Sequence, residues 1–286
     1  MTVLVTGATG TIGSRLVREL AKNGTDVRAA VRTVDRAAVL GDLADLAVPA
    51  DLDDAAAVDR AVAGSDQVVL IAANSERQLQ QELAVIDAAR RHGVAHLIKL
   101  SVGGPAPDAP LALARDHYAA EQHLKGTGVP ATVVRPGFLM QNLLQYTAWI
   151  EADGTWRLPF GDGAMAMIDA ADVAAGLAVL VGRGTPDDDQ VWTGPESIDM
   201  YEAAKQLTAA TGRVVAYTDS DGESFYEQYV GDGNEPQYAR DIATLYDQIV
   251  RPGWAAAVSP GLQQLLNRPL RTFSQFAADH AEDFRA

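Results

Sequence analysis

The sequence predicts an α/β protein with a doubly wound parallel sheet and a smaller, mostly helical C-terminal lobe. Three observations point there. Short apolar runs alternate with helix-compatible segments from residue 1 to 136. A glycine-rich turn joins the first apolar run to the first amphipathic segment. Beyond Pro136 the rhythm changes to aromatic, turn-rich sequence.

The elements follow in order. Val3-Leu-Val5 reads as a strand that ends at Thr6-Gly7, and Ile12, Leu16, Val17 and Leu20 then recur at helical spacing. Val27–Val31 is a second strand, and Asp45–Ala50 a weak third. Gln67–Ile71 is a continuous apolar run of the kind buried on both faces of a sheet, followed by a helix marked by Leu79, Leu83 and Ile86. His96–Leu100 and Ala131–Arg135 repeat the pattern around a helix at about Leu111–Lys125. Strands that alternate with helices pair in parallel through right-handed crossovers. After Pro136 come a turn-rich stretch through Gly154–Gly163, a helix over Val173–Val181, a strand at Val191-Trp-Thr193, a helix over Tyr201–Thr211 and a strand over Val214–Thr218. The remainder is mostly helical, with Phe273, Phe276 and Ala277 on one stripe. The division is therefore 1–136 and 137–286, with a possible return to the first sheet around 164–194. Asp187-Asp-Asp189 is expected to be a solvated turn, and no metal site is expected.

Composition narrows the function. A formal charge of −15 argues against a nucleic-acid partner, whose backbone needs Lys and Arg. No cysteine is present, which excludes disulfides, thiolate metal sites and a thiol nucleophile, and leaves redox work to a bound cofactor. Neither a leader-like start nor a stretch of about 20 apolar residues is apparent, so a cytoplasmic protein without a membrane partner is expected.

Gly7, Gly10 and Gly13 between a strand and a helix are what a dinucleotide pyrophosphate requires. They permit a sharp turn, close approach of backbone amides and tight helix–sheet packing, and the helix N-terminus adds unpaired donors. The Gly-x-x-Gly-x-x-Gly spacing belongs to Rossmann proteins of the short-chain type. Where an NAD-binding chain has a carboxylate after its second strand, this one has Arg32. A charge-assisted contact from Arg32 to a ribose 2′-phosphate is worth roughly 1.5–3 kcal/mol, ten- to a hundredfold in affinity. NADP(H) is expected, and Asp35 keeps NAD as the alternative.

These residues resemble a known family. Val3-Leu-Val-Thr-Gly-Ala-Thr-Gly-Thr-Ile-Gly13, Arg32, Asp51-Leu-Asp-Asp54, Lys99-Leu-Ser101, Arg135-Pro-Gly-Phe138, Asp169-Ala-Ala-Asp-Val-Ala174 and the tail Arg271–His280 are together similar to the NmrA-like branch of atypical short-chain dehydrogenases/reductases, and within it to the quinone oxidoreductase and triphenylmethane reductase group. The resemblance implies a substrate cleft between two lobes. It implies phosphate contacts from Thr6, Gly7, Thr9, Gly10, Thr11, Ile12, Gly13 and Arg32, and Asp51 and Leu52 by the adenine. Ala72 and Ala73 would line the middle of the cofactor, Pro136, Gly137 and Phe138 would reach the nicotinamide, and Ser101 is a further cofactor-binding candidate. Asp51 also reads as a helix N-cap.

The short-chain Tyr-x-x-x-Lys pair is broken, since Gln122 stands four residues after Tyr118. His117 takes the place where lignan and ether reductases carry a lysine, and reads either as a proton donor or as a partner of Glu121 one turn later. Ser101 occupies the short-chain serine position and reads either as a site residue or as a loop cap. Without a strong acid, a quinone-like or conjugated acceptor that takes its proton from water suits the chain better than a ketone. Phe138, Trp149, Trp156 and Phe160 read as a flat pocket for such a ring or as core. The expectation is an NADPH-dependent reductase, monomeric or homodimeric; the alternative is a non-catalytic NADP(H)-sensing regulator that acts through a protein partner.

Overall fold

A computed structural model describes residues 1–284. The chain runs through β1 (Thr2–Val5), α1 (Gly13–Lys22), β2 (Asp26–Val31), β3 (Ala47–Pro49), α2 (Ala55–Val62), β4 (Gln67–Leu70), α3 (Gln78–Arg91), β5 (His96–Leu100), α4 (Ala112–Thr127) and β6 (Ala131–Pro136). It continues through α5 (Thr147–Asp153), β7 (Thr155–Leu158), α6 (Ala170–Arg183), β8 (Gln190–Trp192), α7 (Met200–Thr211), β9 (Ala216–Asp219), α8 (Gly222–Gly231), α9 (Pro236–Leu245), α10 (Gly261–Leu266) and α11 (Phe273–Asp279).

The first compact unit comprises residues 1–109, 113–136 and 170–191, so α6 belongs with the sheet although it follows residue 137. Its sheet has the order β3-β2-β1-β4-β5-β6-β8, and the pairs from β3 to β6 are parallel. This is the Rossmann-type doubly wound architecture that the alternating pattern predicts. Strand order reverses between β1 and β4, where ligands of such sheets bind beyond the carboxyl ends. β4 and β5 are buried at every position, as strands covered on both faces must be, their polar residues Gln67, His96 and Lys99 included. The core between sheet and helices is built from residues such as Leu4, Val68, Leu70, Val85, Ile86 and Leu97.

Two local expectations need correction. The third strand is shorter than the predicted Asp45–Ala50, because a 3-10 segment over Val34–Leu46, kinked at Gly41 (φ 63°), takes up the chain before it. On α3, Leu79 and Leu83 are only partly buried, and the inward face carries Gln78, Gln81 and Glu82 beside Val85 and Ile86. The Asp187–Asp189 turn is solvated as expected, with Asp188 and Asp189 exposed, and it is also tied into the unit: the Asp187 amide donates to Thr132 Oγ1 (2.8 Å), the Asp187 carboxylate pairs with Arg183, and Asp189 pairs with Arg135.

The second unit comprises residues 110–112, 137–169 and 192–286. β7 and β9 pair in parallel as a two-stranded sheet among the helices. Its core is aromatic. Trp156 and Phe160 are fully buried and Trp149 nearly so, with its indole N–H donating to Asp232 (2.8 Å), so these three read as core and only Phe138 stays partly exposed. Tyr246 opens a π-helical turn over Tyr246–Val250, and its hydroxyl lies 2.7 Å from that of Tyr146.

Candidate functional site

The β1–α1 turn is shaped by contacts that only glycine tolerates. Gly7 has φ +58°, and a Cβ there would lie 2.7 Å from the Ile71 carbonyl oxygen. A Cβ on Gly13 would lie 2.2 Å from the Gly7 carbonyl oxygen, and one on Gly10 3.2 Å from the same atom. Thr6 locks the turn from below. Its hydroxyl donates to Ile71 O and accepts from Ile71 N, both at 2.8 Å, and its amide donates to Val69 O, so Thr6 supports the site and has no donor left for a ligand.

Above it, Gly10 N and Ser14 N are bonded within the turn, whereas the amides of Thr11, Ile12 and Gly13 donate to no protein acceptor among the described residues. Ile12, at the N-cap of α1, brings no side-chain cap. Three free amides at the positive end of a ten-residue helix, beside half-exposed Thr9 and exposed Gly10 and Thr11, make an anion cradle. A dinucleotide pyrophosphate fits it in charge and in donor supply.

The other residues expected at the cofactor leave the same edge of the sheet. Arg32 follows β2 with its side chain 68% exposed, and its Nε lies 3.9 Å from Asp51 Oδ1. Asp51 also accepts from the Asp53 amide (3.1 Å), and the cap of α2 is Asp54, which accepts from Ala56 N, so the N-cap reading of Asp51 is set aside. Leu52 borders a narrow apolar crevice with Thr6, Ala30, Ala50 and Val58. Ala72 and Ala73 follow β4, half-buried and exposed, Ser101 follows β5, and Pro136 ends β6. Gly137 and Phe138 open the second unit. The Gly137 amide donates to Trp192 O (2.7 Å), and the Phe138 ring meets Phe160 edge-on at 6.3 Å and Tyr246 at 6.0 Å.

Beneath the end of β5 lies an ionic cluster that the sequence reading missed. Lys99 and Glu82 are both fully buried, with Nζ 3.0 Å from each carboxylate oxygen. Lys99 Nζ also reaches His117 Nδ1 (2.8 Å) and Leu100 O (3.4 Å), which uses all three ammonium protons. His117, 5% exposed, has its Nε2 2.8 Å from the Gln78 side-chain amide. His117 Nδ1 also lies 3.3 Å from Glu82 Oε1, so the imidazole joins the ammonium, the carboxylate and the Gln78 amide in one contact set. The expected His117–Glu121 pair is thus replaced by a Lys99–Glu82–His117–Gln78 cluster. Burial alone would raise the Glu82 carboxyl; the hydrogen bond from His117 and the charge of Lys99 outweigh it and hold Glu82 below its ordinary value. Burial pushes the Lys99 ammonium down, against the opposing pull of Glu82.

Glu121 belongs to a second buried set. Ser101 Oγ donates to its Oε1 (2.6 Å), and Arg135 grips both oxygens, with Nε at 3.0 Å and Nη2 at 2.6 Å. The clue available in the sequence was Lys99 itself, a cation in the middle of a strand read as buried, which has to find an anion inside the fold. Among the described residues no group of His, Cys, Asp and Glu is arranged to hold a metal, and no helix is long and apolar enough to cross a membrane.

A doubly wound sheet whose first crossover begins in an anion-binding glycine turn defines a Rossmann-type protein of the short-chain class. Within that class the chain belongs to the NmrA-like family, whose model matches residues 1–249. It is 34% identical over 285 residues to an NAD(P)H azoreductase of Xenophilus azovorans, covering 99% of each chain. It is likewise 34% identical over 287 residues, with 99% of each chain covered, to the (4-alkanoyl-5-oxo-2,5-dihydrofuran-3-yl)methyl phosphate reductase of Streptomyces griseus. The solved structure of an NADPH-dependent quinone oxidoreductase of Escherichia coli complexed with NADPH superimposes with a TM-score of 0.87 at 26% identity, over 97% of this chain and 99% of that one.

Proposed function

We propose that this protein is an NADPH-dependent reductase that delivers hydride to a quinone-like or otherwise conjugated small molecule. The observation that carries the reading is the glycine turn with three unpaired amides on α1, joined at the end of β2 by an exposed arginine where an NAD site has a carboxylate. Full-length similarity to reductases of azo, furanone and quinone substrates supports the substrate class.

In this reading the amides of Thr11, Ile12 and Gly13 hold the pyrophosphate, with Thr9 and Gly10 beside it, and Arg32 takes the 2′-phosphate. Asp51 and Leu52 flank the adenine, and Ala72 and Ala73 the middle of the cofactor. Ser101, Pro136, Gly137 and Phe138 border the nicotinamide. NADPH supplies the hydride. Both ring nitrogens of His117 are engaged inside the protein, so His117 acts from behind, by holding Lys99 and Gln78 in place. An acceptor that spreads the added electron pair over a conjugated system takes its proton from water and needs no strong protein acid.

The test is NADPH and NADH oxidation by the purified protein against quinones, azo dyes and triphenylmethane dyes, with cofactor affinity measured by calorimetry on the same sample. NADPH-dependent turnover is expected. Tight NADPH binding without turnover on any acceptor would overturn the reductase reading in favour of a dinucleotide-sensing regulator.

A further inference from the structure

Ser101 has one proton to give, and the fold decides where it goes. Its hydroxyl, 3% exposed at the carboxyl end of β5, donates to Glu121 Oε1 at 2.6 Å. Glu121, on α4 and 2% exposed, is gripped at both oxygens by the Arg135 guanidinium, which is held from its other side by Asp189 Oδ2 at 2.9 Å. A carboxylate in a bidentate arginine pair is ionised and only accepts. Ser101 must therefore be the donor in that bond. Its remaining lone pairs accept from no protein group among the described residues. A serine so arranged faces a ligand as an acceptor and has no proton free for a carbonyl oxygen.

We infer that Glu121 is a positioning residue that fixes the hydrogen-bond polarity of Ser101, so that Ser101 Oγ accepts an N–H or O–H of the molecule bound beyond β5. Two sources carry that donor: the carboxamide or ribose hydroxyl of the cofactor, and the hydroxyl of the reduced acceptor. The inference rests on the reading above that the nicotinamide end of NADPH lies at Ser101. It also fits the reading in which the proton of reduction comes from solvent, since the Ser101 hydroxyl is oriented by an anion behind it.

The experiment compares Ser101→Ala, Glu121→Gln and the double variant. NADPH affinity is read by calorimetry, and kcat and KM with menadione by NADPH oxidation. In Glu121→Gln the NH2 group faces an Arg135 N–H in either orientation; the one that keeps the oxygen on the shorter Nη2 contact gives up the 3.0 Å Nε contact and turns the NH2 to Ser101, which then accepts from it and points its own proton at the ligand. Donor against donor replaces a hydrogen bond, so Glu121→Gln is expected to lose at least as much as Ser101→Ala, each on the order of tenfold in the same parameter. A change in NADPH affinity assigns the donor to the cofactor, and a change confined to the menadione constants assigns it to the acceptor. The double variant is expected to match Ser101→Ala alone, because without the hydroxyl its polarity has no meaning. Glu121→Asp, still an anion, should keep part of what Gln loses.

Additive losses in the double variant would show that Glu121 acts independently of Ser101 and overturn the inference. So would a Glu121→Gln effect confined to the melting temperature. If Glu121→Gln does not fold, Ser101→Ala decides: unchanged affinity, kcat and KM overturn the inference by themselves. Failure of wild-type protein to bind NADPH is a separate result, which removes the cofactor reading beneath it.

Discussion

The interiors of the two units are organised on opposite principles. Under β5 the first unit buries full charges, with Lys99 and Glu82 at zero exposure and a histidine and a glutamine completing the cluster. The second unit buries mainly aromatic area, with polar contacts at ring edges such as Tyr146–Tyr246, and its buried carboxylate, Asp169, is paired with a partly exposed cation, Arg271. Charged cores are conditional: every member must be present, or an ion is stranded in a medium that cannot solvate it. Aromatic cores lose in proportion to what is removed. The first unit therefore tolerates coordinated change better than single change.

The sharpest way to break that contrast is Lys99→Met. It strands Glu82 and is expected to cost about 3–5 kcal/mol by denaturant unfolding, whereas Lys99→Met with Glu82→Leu should recover most of that loss. A double variant no more stable than the single one would mean that the cluster is not a closed ionic set. In the second unit the corresponding polar deletion, Tyr146→Phe, leaves the Tyr246 hydroxyl without its partner and should cost about 1–3 kcal/mol in the same assay.

Acid separates the two kinds of interior further. Glu82 is held below its ordinary value of 4.5, so its contribution is complete above that pH and is lost as the pH falls through the depressed folded value. Burial raises the tyrosine hydroxyls, which keeps them neutral at any ordinary pH. Glu82→Gln should thus show a shallower fall in stability than wild type below about pH 4.5, and parallel curves would contradict the assignment. The smallest effect on stability is expected for Arg32→Glu. This exposed cation should change unfolding by no more than about 0.5 kcal/mol. It should still lower NADPH affinity ten- to a hundredfold, by roughly 1.5–3 kcal/mol, with little change for NADH. Equal losses for the two cofactors would remove the 2′-phosphate role.

The sheet was legible in the sequence because strands covered on both faces are predominantly apolar, and Val3–Val5, Gln67–Ile71 and Ala131–Arg135 carry that signal although Gln67, Thr132 and Arg135 interrupt it. The glycine turn was legible because its spacing and position leave few conformations. The ionic cluster was not, for a definite reason. A periodicity reading places Glu82 and Gln78 toward water and Leu79 and Leu83 inward, and the pairing with Lys99, 17 residues away in sequence, reverses that face of α3. Trp149, Trp156 and Phe160 read from the sequence as either core or pocket lining, because hydrophobic pattern is the same for a ring that packs and one that lines a pocket, and the structure buries all three. Local pattern likewise gave no means of seeing that the segment before β3 winds as a 3-10 turn kinked at Gly41.

The path of the chain carries one more implication. It passes between the units at 109/110, 112/113, 136/137, 169/170 and 191/192, so neither unit is a contiguous stretch of polypeptide. Anyone hoping to graft the second unit onto another relative's nucleotide-binding half cannot splice at a single junction. The 137–169 and 192–286 segments have to travel together while 170–191 stays behind. In lineages that diversify by recombining gene fragments, such a layout favours change by point substitution within each unit over wholesale exchange of modules.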